Sequence, residues 1–175
     1  LGAGRRPAWL GALGGRTTLD QLPWYILIGA PGAGKTTALI NSGLDFPLAR
    51  TLGAPVVQGV GGTRNCDWWF TDEAMLIDTA GRYTTQTSDA EQDAGAWQGF
   101  LALLKRSRPR QPVSGVLVTV SVPDLLMQSA TDRAAHAQAV RRRVQELHQH
   151  LGIRFPIYLL VTKCALPSGL TDHLG

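Results

Sequence analysis

The octapeptide Gly29-Ala-Pro-Gly-Ala-Gly34-Lys35-Thr36 has the residue types and the spacing of a phosphate-binding loop, GxxxxGK[ST]. Each position answers a physical need. Gly29, Gly32 and Gly34, with the small Ala33 between them, let the backbone turn so tightly that successive N–H groups point inward at phosphate oxygens. A helix starting at Thr36 and Thr37 adds its positive end to the same spot. Lys35 is placed to reach the β- and γ-phosphates and is the first catalytic candidate, and the Thr36 hydroxyl is placed to ligate Mg²⁺.

Three further segments supply matching chemistry. Asp78-Thr-Ala-Gly81 offers a carboxylate that can hold Mg²⁺ through water and a glycine N–H for the γ-phosphate. Thr63, in a glycine-rich stretch, is a candidate for the threonine that completes the metal's coordination when a γ-phosphate is present. Thr162-Lys163 offers a lysine stem that can cover one face of a purine base. A turn capped by Asp78, an ordinary loop threonine at Thr63 and a solvated Lys163 are the bland alternatives.

These residues act together only if the chain brings them to one edge of a sheet. The run Trp24–Ile28, between Pro23 and Gly29, reads as a buried strand, followed by the glycine turn and a helix over Thr36–Ser42 that stops at Gly43. Leu44–Asn65 reads as a loop. Asp67–Thr71 and Ala74–Ile77 read as a tight antiparallel hairpin whose second strand Asp78 closes. Trp97, Phe100, Leu101 and Leu104 recur at helical spacing within Gly95–Arg106. Val116–Val120 reads as a strand buried on both faces, Thr131–Leu151 as a long helix stopped by Gly152, and Ile157–Val161 as the last strand. That order predicts an α/β fold: a P-loop NTPase, GTPase-like, with a mostly parallel sheet, helices on both faces and one antiparallel hairpin strand. Ligands of such sheets bind outside the carboxyl ends of the strands, where all the segments above fall.

Composition narrows the class without choosing it. A chain of 175 residues with 20 Gly, 10 Pro, 44% hydrophobic and 17% charged residues is globular, and too short for two comfortable domains. Residues 1–21 read as a lead-in and 22–175 as one nucleotide-binding domain, cut at its C-terminal end. The formal charge of +4 suits a polyanionic ligand. No recognition motif accompanies that charge, so nucleic acid is not an expected partner. Cys66 and Cys164 are too few and too far apart for a disulfide scaffold, and His136, His148, His150 and His173 form no convincing metal-ligand pattern with them. No apolar run is long enough to span a bilayer. Arg141–Arg143 is expected on the solvated face of the long helix. Trp68 and Trp69 point to opposite sides of a strand, so one is expected in the core and one exposed.

Together the motifs resemble the GTPase-type branch of P-loop proteins. More specifically, Leu22-Pro-Trp-Tyr25, Asn41-Ser-Gly-Leu44, Phe46-Pro-Leu48, Gly61-Gly-Thr-Arg-Asn-Cys-Asp-Trp-Trp-Phe70 and Asp78-Thr-Ala-Gly-Arg-Tyr-Thr-Thr85 resemble the TssM/IcmF family. That family supplies the large inner-membrane component of type VI secretion systems and has relatives in type IVB systems. The resemblance implies a nucleotide-binding domain on the cytoplasmic face of the bacterial inner membrane, held there by segments outside residues 1–175. It also implies partners: a TssL-like inner-membrane protein, the baseplate and, through a periplasmic part, a TssJ-like lipoprotein.

Two departures from the GTPase pattern bear on function. Ala165 stands where the base-reading motif should end in Asp, which removes the carboxylate that accepts guanine N–H bonds. Preference between ATP and GTP should flatten accordingly. Arg82 stands where many GTPases carry a water-orienting glutamine, and a guanidinium has no acceptor for that water. It is either a second catalytic candidate, stabilising transition-state charge, or a salt-bridged loop arginine. The sequence thus predicts Mg-dependent nucleoside triphosphate binding with slow hydrolysis, ATP or GTP being the nucleotide; the alternative is a nucleotide-binding switch or docking scaffold that scarcely hydrolyses. A free-standing small GTPase fits less well.

Overall fold

A computed structural model of the chain describes residues 22–47, 57–58, 66–85 and 90–164. The lead-in, Thr63 and Ala165 lie outside these residues. The elements in order are β1 (Trp24–Ile28), α1 (Lys35–Ile40), β2 (Val57–Gln58), β3 (Cys66–Phe70), β4 (Met75–Thr79), α2 (Gly81–Thr85), α3 (Ala90–Ser107), β5 (Gly115–Ser121), α4 (Val122–Met127), α5 (Ala130–Leu151) and β6 (Ile157–Thr162).

Among the described residues the strands form one six-stranded sheet of order β2-β3-β4-β1-β5-β6. β1 pairs in parallel with β4 and β5, and β5 with β6, while β3 runs antiparallel to both β2 and β4. This is the expected GTPase-like α/β sheet, including its antiparallel hairpin strand. β1 is central, and the chain leaves it toward β4 on one side and toward β5 on the other, which opens a crevice at its carboxyl end.

Strand alternation explains the two cores. Trp24, Ile26 and Ile28 of β1 face Trp68, Met75, Ile77, Val116 and Val118 on one side, where α2, α3 and α5 contribute Tyr83, Trp97, Phe100, Leu104 and Leu147. Leu27, Trp69 and Leu76 face the other way and meet Leu39 of α1. Helices therefore cover both faces, as the sequence predicts. The tryptophan expectation is corrected: Trp68 and Trp69 do point to opposite faces, but both are buried because each face of β3 carries its own cluster.

Arg143 corrects a second expectation. Arg141 and Arg142 are solvated, whereas Arg143 is buried and its Nη2 lies 2.9 Å from Glu146 Oε1 one turn on. α5 rolls this position toward the sheet, where it shares a face with Leu147 at helical spacing. Burial lowers the Arg143 pKa, and Glu146 opposes that shift. α3 starts at Ala90 rather than the expected Gly95 because residues 90–94 are helix-compatible and place Glu91 and Asp93 in the first turn, where the helix dipole favours anions.

β6 is the exposed edge. Ile157, Tyr158, Leu159 and Val161 are 51%, 49%, 67% and 43% exposed, although the strand pairs with β5 along its whole length. No described helix is long and apolar enough to cross a membrane.

Candidate functional site

The phosphate-loop motif occupies the turn between β1 and α1. Gly32 and Gly34 take left-handed φ values of 74° and 83°, which a residue with a Cβ adopts only at a cost. Gly34 is the N-cap of α1 and no side chain caps that end, so the loop supplies backbone amides without a competing acceptor. Lys35 is buried to 7% exposure, and its Nζ donates to the carbonyls of Gly29 (3.2 Å) and Ala30 (3.3 Å). The ammonium is thereby folded back across its own loop. Burial lowers the Lys35 pKa, and the nearby Asp78 charge opposes that shift. Thr37 is exposed, and its carbonyl accepts from the Asn41 side chain at 2.9 Å.

The end of β4 completes the opposite wall. The Thr36 hydroxyl donates to Asp78 Oδ2. Asp78 is 6% exposed, and its Oδ1 has no hydrogen-bond partner among the described residues. Burial raises the Asp78 pKa; the Thr36 bond and Lys35 pull it down, and Asp67 raises it further. Thr79 donates to the Leu27 carbonyl at 2.6 Å and so pins β4 to β1 directly beneath the loop.

Gly81 is where a side chain has no room. A Cβ built there would lie 2.3 Å from Pro31 N and 2.5 Å from Pro31 Cα, both backbone atoms of the phosphate loop. The start of α2 and the loop are therefore in van der Waals contact, and Thr84 fastens them again by accepting from the Gly29 N–H at 3.2 Å. Between these walls lies a polar cavity of about 350 Å³, lined by Pro31, Gly32, Lys35, Thr36, Asp67, Asp78, Thr79, Ala80 and Gly81. A second cavity, about 430 Å³ and mostly apolar, lies between β5 and α5; of the motif it meets only Ala30 and Ala33, and none of the motif's polar or charged side chains lines it. The smaller, polar one is where the chemistry converges.

Thr162 and Lys163 also arrive at this edge. Thr162 Oγ1 donates to the Ala33 carbonyl at 2.5 Å, so its hydroxyl holds the loop rather than pointing at open space. Lys163 is exposed with φ 56°, and its Cε lies 3.9 Å from a Cβ built on Gly34. Arg82 is different. Its Nε pairs with Asp93 Oδ1 of α3 at 3.2 Å, and it does not line the cavity. The salt-bridged reading of Arg82 is the one this geometry supports.

An unpartnered buried carboxylate oxygen beside a threonine hydroxyl is an oxygen-only donor set, which fits a hard cation such as Mg²⁺. Thr36 and Asp78 would hold it. Among the described residues no group of three or more His, Cys, Asp and Glu side chains forms an all-protein metal cage. Mg²⁺ is commonly bound by one or two carboxylates plus substrate phosphates, so this shortage is compatible with it.

Two cavity or loop residues escape sequence reasoning. Asp67 is legible only as a lone acid in an otherwise apolar strand, and its place opposite Asp78 comes from the hairpin register. Thr84 follows the DTAG motif with nothing local to mark its reach back to Gly29.

Comparison with known proteins adds identity. Residues 90–174 match the IcmF-related N-terminal domain family. The chain is 62% identical over 162 residues to the type VI secretion system component TssM1 of Pseudomonas aeruginosa, covering 91% of this chain and 15% of that protein. Among solved structures it is similar to an ADP-ribosylation-factor-like small COPII coat GTPase, SAR1, of Encephalitozoon cuniculi with GDP, at 12% identity and a TM-score of 0.30 over 83% of this chain and 73% of that one. With the family match over its second half and that identity across most of its length, the chain belongs to the TssM/IcmF family.

Proposed function

We propose that the chain is the Mg-nucleotide-binding module of a type VI secretion component on the cytoplasmic face of the bacterial inner membrane. Its ligand is ATP or GTP, which it hydrolyses slowly. The observation that carries this reading is the convergence of Lys35, Thr36, Asp78 and Gly81 from two separate strand ends on one polar cavity. An anion entering there would replace the Gly29 and Ala30 carbonyls as the partner of the Lys35 ammonium, a charge-assisted exchange that favours phosphate. Thr36 and Asp78 would hold Mg²⁺, which supplies charge neutralisation of the phosphate oxygens. Thr37 stays a proposed backbone donor, and Lys163 the proposed cover for the base, with Thr162 acting through the loop. Thr63 is the remaining proposed metal residue.

Slow turnover follows from what the cavity lacks. Among the described residues lining it, only Lys35, Asp67 and Asp78 are charged, and Arg82 is engaged by Asp93. The same observation supports the second reading, a switch or scaffold that docks a TssL-like protein or the baseplate while nucleotide is held; a TssJ-like lipoprotein would meet other parts of the polypeptide. With Ala165 in place of a base-reading acid, affinities for ATP and GTP should agree within about tenfold, since discrimination by a buried polar reader is absent. Calorimetry with both nucleotides, followed by single-turnover phosphate release, checks both points. A preference for one nucleotide beyond a thousandfold, or release as fast as about 1 s⁻¹ from the isolated chain, would contradict them.

A further inference from the structure

Asp67 sits directly opposite Asp78 in the β3–β4 register, so the two carboxylates share one face of the pleat. Like charges in directly opposed positions destabilise an antiparallel pair. Among the described residues Lys35 and the Thr36 hydroxyl offset only the Asp78 charge, and only in part. The Asp67 carboxylate makes no hydrogen bond or ion pair among the described residues, and the one ammonium in the cavity is bonded to carbonyl oxygens instead. Every other residue of β3, from Cys66 through Phe70, is buried and apolar, so an acid at this position interrupts a strand that packs on both faces. The buried Oδ1 of Asp78 is meanwhile left without a partner inside the same cavity. Two carboxylates, one hydroxyl and one ammonium leave the cavity with a surplus negative charge that a divalent cation would balance.

We propose that Asp67 is a second carboxylate of the magnesium site, holding the cation through its bound water alongside Asp78 and Thr36, and that it sets the metal affinity of the nucleotide complex. This rests on the nucleotide-binding reading above. It accords with the reluctance of Mg²⁺ to dehydrate, which favours outer carboxylates that grip coordinated water. Asp67 is a positioning residue here, since it meets the cation's hydration shell and not the phosphate.

The test uses Mn²⁺ as the probe, read by the spin resonance of the free ion, with the 175-residue chain, Asp67→Asn and Asp67→Glu. ATP binding is measured separately by calorimetry in EDTA, and folding by thermal melting. Asp67→Asn is expected to bind ATP in EDTA as well as the parent or slightly better, to melt no lower, and to bind Mn²⁺ in the ATP complex about tenfold more weakly. Asp67→Glu should recover part of that loss. Mn²⁺ affinity of Asp67→Asn within about twofold of the parent would overturn the role of Asp67 and leave nucleotide binding intact. Weaker ATP binding in EDTA together with a lower melting temperature would overturn it too, by assigning Asp67 to folding. A parent chain that binds neither ATP nor Mn²⁺ would overturn the nucleotide reading itself, and this inference with it.

Discussion

Gly81 is the residue on which the site's closure depends most plainly. Its hydrogen faces the backbone of Ala30 and Pro31, so any Cβ must push the phosphate loop away from the end of β4. Gly81→Ala is therefore expected to cost about 1–3 kcal/mol, the usual range for overpacking a tight contact, and to weaken ATP binding in parallel. Urea unfolding and calorimetry check the two effects; a variant with parental stability and affinity would show that the loop gives way freely. Several site residues were legible because their motif is local: Gly29 to Thr36 is one unbroken octapeptide, and Asp78 to Gly81 one tetrapeptide. Thr162 was placed at the right edge by topology, but its bond to the Ala33 carbonyl spans 129 positions and has no sequence signature. Asp67 has no local signature either, since its place opposite Asp78 lies in the register of a hairpin.

At the scale of elements, strong periodicity or strong punctuation made a segment readable. The apolar face of α3, the β-branched run of β5 and the Gly152 stop of α5, in the left-handed region at φ 68°, all appear as the sequence predicts. Short helices do not announce themselves this way. α2 has five residues and α4 six, less than two turns each, so neither shows a repeating apolar face. α4 did carry start signals, a Ser121 N-cap whose side chain accepts from the Asp124 N–H and a proline in the first turn. Capping is also a testable element-level force in α5, where Ser129 accepts from the Asp132 N–H at 3.1 Å on an exposed turn. Ser129→Ala should cost about 1 kcal/mol in urea unfolding without changing nucleotide affinity. A loss of affinity would mean that this end of α5 communicates with the phosphate loop.

For the whole molecule, stability and exposure are unevenly distributed over the sheet. The side where α2, α3 and α5 meet β1, β3, β4 and β5 buries Trp97, Phe100, Leu101 and Leu104 to 1% exposure or less. β6 lies at the opposite extreme, with Leu159 at 67% exposure on the open edge. Trp97→Ala should cost about 3–5 kcal/mol and Leu159→Ser no more than about 0.5 kcal/mol in the isolated chain. Equal costs in denaturant titrations would contradict this distribution of the core. The chain spans 15% of the length of the TssM1 relative that it matches. The proposed nucleotide site is tested most directly by calorimetric titration of the chain and of Lys35→Ala with ATP and Mg²⁺. Measurable binding by the parent is expected, with at least about tenfold weaker binding by Lys35→Ala, the loss that follows from removing a charged hydrogen-bond donor to phosphate. Equal weak binding by both proteins, or none by either, would contradict it.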